Sequence, residues 1–196
     1  MGAVLGLTNG LGMVNATLLT LGRRLGAGMV GVMVIIILIQ VFFRYVLGSA
    51  LAWPEEAARF LMLWMTGLMA PTAFRRGGFV SIEMLTRLLP TAASAILSLF
   101  LLGVSLTVMV VGLKIGWSEV TGLGGRFATD SLHYPTSFDL STWTKVPKSW
   151  MMLSLVTGLV LLISVCVELI LRSLLTFSGR MDDLIKIPHA VAGGAE

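Results

Sequence analysis

The sequence predicts an all-α integral membrane protein: four transmembrane helices, plus a short amphipathic helix lying in the interface between spans two and three. Three observations carry this. Hydrophobic residues make up 56% of the 196 and charged residues only 12%, where ordinary soluble domains carry about 25% charged residues. Mean hydropathy is +0.93, and a chain of this length cannot hide so much apolar surface from water. Four apolar segments follow one another with clustered charges between them. The same composition excludes a soluble globular enzyme, a disordered chain and a disulfide scaffold, since Cys166 is the single cysteine. The net charge of +4 comes from 14 basic and 10 acidic residues. Beside such apolar runs, it points to basic residues at a membrane edge rather than to nucleic acid.

Residues 1–24 form an N-terminal segment on the cytoplasmic side. Leu7, Leu11, Val14, Leu18 and Leu21 repeat at helical spacing but are interrupted by glycine and asparagine, which leaves an interfacial helix and a disordered tail both open. No charge precedes Arg23, so the positive start of a signal peptide is missing. Span one covers about 25–47. Its uncharged part, Leu25 to Phe43, is about 28 Å long at 1.5 Å per residue, enough to cross the hydrocarbon core. Span two covers about 54–74. Trp53-Pro54-Glu55-Glu56 places proline at the first helical position and acids in the first turn, and Pro71 is expected to kink the helix late.

The interfacial helix is expected over 80–89. Ile82, Leu85 and Leu89 share a face, Glu83 stands four before Arg87, and Pro90 closes the segment. Span three covers about 91–116 and span four about 149–175. In the last, Glu168 and Arg172 are four apart and pair near the helix end. Between spans three and four an outer-side loop is expected over 117–148, the longest polar segment and the natural meeting place for a partner outside the membrane. A cytoplasmic tail, 176–196, ends the chain. With both termini inside, eight of the 14 basic residues fall on the cytoplasmic side, the Arg23–Arg24 and Arg75–Arg76 pairs among them.

The spans lack the marks of a self-sufficient carrier or an enzyme. Spans one, three and four have no charge at mid-depth, and coupling chemistry ordinarily needs one there. Thr66, Ser105 and Thr107 are expected to bond back to their own helix or a neighbour. No metal-binding or phosphate-binding motif is present, and His133 and His189 lie outside the apolar runs, so neither a catalytic centre nor a cofactor is expected in this chain. Small residues four apart permit close helix approach, within the chain or on a partner. They are Ala27 and Gly31, Gly112 and Gly116, and Ser154 and Gly158.

The segment from Gln40 to Pro90 carries a resemblance. Gln40-Val41-Phe42-Phe43-Arg44-Tyr45, then Trp53-x-Glu55-Glu56-x-x-Arg59, Trp64, Arg75-Arg76-Gly77-Gly78 and a closing Leu89-Pro90 resemble the small, DctQ-like membrane subunit of TRAP transporters, the tripartite ATP-independent periplasmic carriers. The resemblance implies a non-catalytic scaffold in the bacterial inner membrane. Its partners would be a large membrane subunit holding the substrate and sodium sites, and a periplasmic binding protein that delivers an organic acid. The competing reading is a stand-alone four-helix carrier acting as a homodimer, for which Glu168 is the sole acidic candidate inside a span.

Seven residues stand out as candidates for structural, partner or lipid contacts: Arg44, Trp53, Glu55, Glu56, Arg59, Arg75 and Arg76. Arg44 and Glu56 have opposite charge at matched depth and either pair across the outer loop or reach headgroup water separately. Trp53 is expected to anchor in the headgroups. Arg75 and Arg76 are expected to hold topology and touch anionic lipid, with a grip on the partner subunit as the second reading.

Overall fold

A computed structural model describes residues 2–76, 91–136 and 143–177. The expected interfacial helix at 80–89 and the tail beyond 177 lie outside these residues. The described chain is mostly helical. Helices α1 (Gly2–Tyr45), α2 (Trp53–Arg75), α3 (Thr91–Thr121) and α5 (Ser149–Phe177) form the bundle, and a short helix α4 (Leu123–Arg126) with strands β1 (Ala128–Pro135) and β2 (Trp143–Pro147) fills the connection between α3 and α5. Three of the helices are long and apolar enough to cross a membrane, over Leu5–Tyr45, Ile96–Thr121 and Ser149–Leu175.

Of the two forms left open for the N-terminal segment, the structure shows the helical one: it continues into span one as a single helix of 44 residues. Arginine is a good helix former, so Arg23-Arg24 does not interrupt it. Along its first half the buried positions are Thr8, Gly12, Asn15, Leu19, Gly22 and Gly26, alternating steps of four and three as in a coiled-coil seam. The leucines at helical spacing lie outside this seam. Leu7, Val14, Leu18 and Leu21 are all exposed. The buried face is the small and polar one, because glycines let backbones approach while lipid tails accept leucine as readily as a core does.

Gly48 ends α1 cleanly. It stands at φ +63°, a conformation glycine adopts without steric cost, and Ser49 N–H donates to the Phe43 carbonyl at 3.1 Å. Helix α2 then starts with proline in its first turn beside Glu55 and Glu56, and contains Pro71.

Helix α5 is central. It packs on α2 and α3 and also reaches α1, while α1 lies chiefly against α2. Most of the buried hydrophobic core among the described residues belongs to it: Val156, Val165, Cys166 and Leu175. Helices α2 and α5 meet backbone to backbone. A Cβ on Gly67 would collide with the Ser154 carbonyl oxygen, and one on Gly158 would lie 2.9 Å from Gly67 Cα. The Ser154/Gly158 pair is therefore used inside the chain. So are Gly112 and Gly116, which face Leu159 and Val156 at ordinary contact distance. Nothing lies near Gly31, so the Ala27/Gly31 face of α1 is open. Thr66 and Thr107 bond back to Met62 and Gly103 of their own helices at 2.8 and 3.0 Å.

The loop at 117–148 contains more structure than expected. Helix α3 runs on to Thr121, and β1 and β2 pair antiparallel with a register shift between Ala128 and His133. Among the described residues, the all-helical expectation fails here.

Candidate functional site

The bundle carries polar structure at both ends. At one end, which we call the Glu168 end, α1, α2 and α5 enclose a carboxylate. Glu168 is 0% exposed. Arg75 grips it as a fork, Nε donating to Oε2 at 3.0 Å and Nη2 to Oε1 at 2.7 Å. Arg172, one turn along α5, donates from Nε to Oε1 at 3.0 Å. Asn15 of α1 donates from Nδ2 to Oε2 at 2.8 Å. A carboxylate has about four acceptor positions, and four donors fill them.

Most of the surrounding groups have partners in turn, while the buried Arg172 Nη2 faces Glu168 Oε1 at 3.0 Å as a charge contact without a hydrogen bond. Arg75 Nη2 also donates to the Gly12 carbonyl at 2.8 Å, and the Ser164 hydroxyl donates to Asn15 Oδ1 at 2.8 Å. Gly12 has a second task. A Cβ there would stand 2.9 Å from Arg172 Nη2 and 3.0 Å from Glu168 Oε1, so a larger residue would have to push the ends of these paired side chains aside. The planar guanidinium suits this geometry, and a lysine at position 75 would supply one point charge without the fork. A proton or a sodium ion could reach the Glu168 carboxylate only by displacing one of its four donors.

At the other end, the hairpin docks on α2. Where the register shifts, the β1 backbone N–H groups of Asp130, Ser131 and Leu132 turn to the Glu56 carboxylate, at 3.2, 2.8 and 3.1 Å. The Ser131 hydroxyl donates to the same carboxylate at 2.7 Å. A bulge leaves ladder groups unpaired, and Glu56 satisfies them. Glu56 precedes the uncharged stretch 60–74 of α2, at its surface. Its burial would raise the carboxyl, but the Ser131 hydroxyl and the three N–H groups outweigh this and hold it below the ordinary carboxylate range. Tyr134 stacks on Trp150, with ring centroids 5.7 Å apart, and Trp64 Nε1 donates to the Trp150 carbonyl at 3.1 Å.

The candidate residues thus fall in different places. Glu56 meets the hairpin and not Arg44, which lies 5.9 Å from the Tyr45 ring centroid. The reach of β1 into this space was invisible in the sequence. Glu55 and Arg59 form an exposed pair at 3.3 Å, and Trp53 is 40% exposed. Arg75 is not a lipid-facing residue: its side chain is 9% exposed and spent on Glu168. Arg76 caps α2, its N–H donating to the Thr72 carbonyl at 3.2 Å. Asn15, Gly12 and Ser164 went unnoticed in the sequence. The Glu168–Arg172 pairing is present as the spacing indicated. Among the described residues no group of histidine, cysteine and carboxylate side chains is placed to hold a metal.

Long apolar helices, an ion-pair cluster sealed between three of them and a small folded cap at the opposite end define a helical membrane protein. Over residues 33–176 the chain matches the family model for tripartite ATP-independent periplasmic transporters, DctQ component. The chain belongs to that family, the small membrane subunit of TRAP transporters, which is a family of transporter components and not of enzymes. No curated protein and no solved structure matches it. Arg75 and Glu168 lie inside the matched range, whereas Gly12 and Asn15 precede it.

Proposed function

We propose that this chain is the non-catalytic scaffold subunit of a sodium-coupled, binding-protein-dependent TRAP transporter that imports an organic acid. In this reading it sits in the bacterial inner membrane with both termini cytoplasmic. It pairs with the large subunit, which carries the substrate and sodium sites, and meets the periplasmic binding protein transiently at its outer face. The Glu168 end is then cytoplasmic and the hairpin periplasmic.

The observation that carries the reading, beside family membership, is the state of Glu168. A carrier that exchanges cations at a buried acid needs that acid open to its cargo. Here four donors occupy it, which suits a fixed structural tie between helices. Helix α2 serves as the fourth span. Its uncharged stretch, 60–74, is only about 22 Å long at 1.5 Å per residue, but α2 is flanked by α1 and α5, and its charged ends are taken up by the hairpin and by Glu168. Helix α1, about 66 Å long by the same rise, exceeds the hydrocarbon core roughly twofold and must tilt or project.

The stand-alone homodimer is the alternative. Reconstitution into vesicles separates the two. The scaffold reading expects no sodium-driven uptake of organic acids by this chain alone, and uptake once the large subunit and binding protein are present. Uptake by this chain alone, abolished by Glu168→Gln, would overturn it.

A further inference from the structure

A second polar feature lies beside the ion-pair cluster and is not consumed by it. Helices α1 and α2 part there to leave a cleft of about 80 Å³ lined by Ala16, Leu19, Thr20, Arg23, Thr72, Arg75 and Arg76, room for a small polyatomic anion rather than a single water. Three guanidinium-bearing residues and no carboxylate line it. Arg75 is balanced by Glu168. Arg23 and Arg76 form no ion pair among the described residues, and both are half-buried. Behind them Glu168 is shared between Arg75 and Arg172, so that acid is already outweighed. The Thr72 hydroxyl reaches the Leu19 carbonyl only at 3.5 Å, the limit of a hydrogen bond, and is free to turn toward a guest. The back wall, Ala16 and Leu19, is apolar.

The geometry points to a binding site for a phosphate group in this cleft, held between Arg23 of α1 and Arg76 at the end of α2. Arginine forks match phosphate oxygens in pairs, and an unbalanced pair of guanidiniums beside an apolar wall suits the headgroup of an anionic phospholipid or a free phosphate. The bound anion would brace α1 against α2 where the Leu19–Thr72 contact is loose. This inference does not depend on the transport reading.

Native mass spectrometry of the full-length chain in mild detergent tests it, with phosphatidylglycerol, diacylglycerol of the same chains, and inorganic phosphate as probes. Phosphatidylglycerol is expected to bind and diacylglycerol to bind at least tenfold more weakly. The double substitution Arg23→Gln/Arg76→Gln is expected to weaken phosphatidylglycerol at least tenfold. Arg24→Gln, on the exposed face of α1 outside the cleft, is expected to change it less than twofold. Binding of inorganic phosphate with the same arginine dependence would assign the site to the free anion; binding of the lipid alone would assign it to the headgroup. Should the double variant lose its helical circular dichroism, Arg23→Lys/Arg76→Lys keeps the charge, removes the forks and is expected to weaken binding at least threefold. Equal binding of the two lipids together with no arginine-dependent binding of inorganic phosphate, no effect of either double variant, or an equal loss from Arg24→Gln would overturn the proposal.

Discussion

Removing the Glu168 carboxylate is expected to cost more than any other single change in the bundle. In Glu168→Ala, Arg75 loses both arms of its fork, Arg172 loses the Nε bond and Asn15 loses an acceptor. Solvent replaces these bonds poorly, since Glu168 is 0% exposed and the two arginine side chains are 9% and 12% exposed. Truncating one partner of a buried ion pair costs about 3–5 kcal/mol, or about two to three and a half powers of ten in the folded-to-unfolded ratio. Glu168→Gln keeps the shape and one acceptor oxygen and loses the charge, so its cost falls near that of a charge-assisted hydrogen bond, about 1.5–3 kcal/mol. Arg75→Gln removes the fork and the Gly12 bond together, whereas Arg172→Gln leaves the fork intact.

The predicted order of destabilisation is therefore Glu168→Ala, then Arg75→Gln, then Arg172→Gln. The assay is reversible unfolding in mixed micelles, followed by far-ultraviolet circular dichroism as denaturing detergent is raised. Two results would refute the reasoning: Glu168→Ala within about 0.5 kcal/mol of the parent chain, the ordinary range of a surface change, or a larger loss from Arg172→Gln than from Arg75→Gln.

Three further predictions follow from close contacts and from the hairpin. Gly67→Val drives a side chain into the Ser154 carbonyl and should destabilise the bundle by about 1–3 kcal/mol or more, while Gly31→Ala, which meets nothing, should stay within about 0.5 kcal/mol; the same unfolding assay compares them. Gly12→Leu should separate α1 from the ion-pair cluster, read as a loss of cysteine crosslinking between α1 and α5 near Asn15 and Ser164. Glu56→Gln should speed hydrogen exchange at the amides of Asp130, Ser131 and Leu132 about tenfold. Because Glu56 is held below its ordinary range, the contribution of its carboxylate to hairpin docking is present at neutral pH and lost as pH falls through that lowered value; exchange corrected for its intrinsic rate should show this loss in the parent chain and not in Glu56→Gln.

The apolar spans were legible because lipid demands long uncharged runs, and three of them are visible by length alone. The start of α2 was legible too, since proline and two acids mark a helix N-terminus locally. What escaped the sequence was non-local or governed by the solvent. Arg75 and Glu168 stand 93 residues apart, and nothing near either one announces the other, whereas the four-residue spacing of Arg172 does. The packing face of the first half of α1 was not legible for a physical reason: small and polar residues, the glycines and Asn15, line the contact between helices there, while Leu7, Val14 and Leu18 point away from it. The hairpin was missed because Ala128–Pro135 shows no clean alternation of apolar and polar residues, and its bulge is fixed by Glu56 from another element. The small-residue pairs at Ser154/Gly158 and Gly112/Gly116 were visible as motifs, but only the packed bundle shows that the chain uses them on itself.

Co-purification from the native membrane tests the central claim most directly. A tagged copy of this chain, extracted in mild detergent and weighed as an intact complex, is predicted to emerge with one large multi-span membrane protein in equal proportion. Recovery of this chain alone as a stable dimer that drives uptake in vesicles would contradict the account.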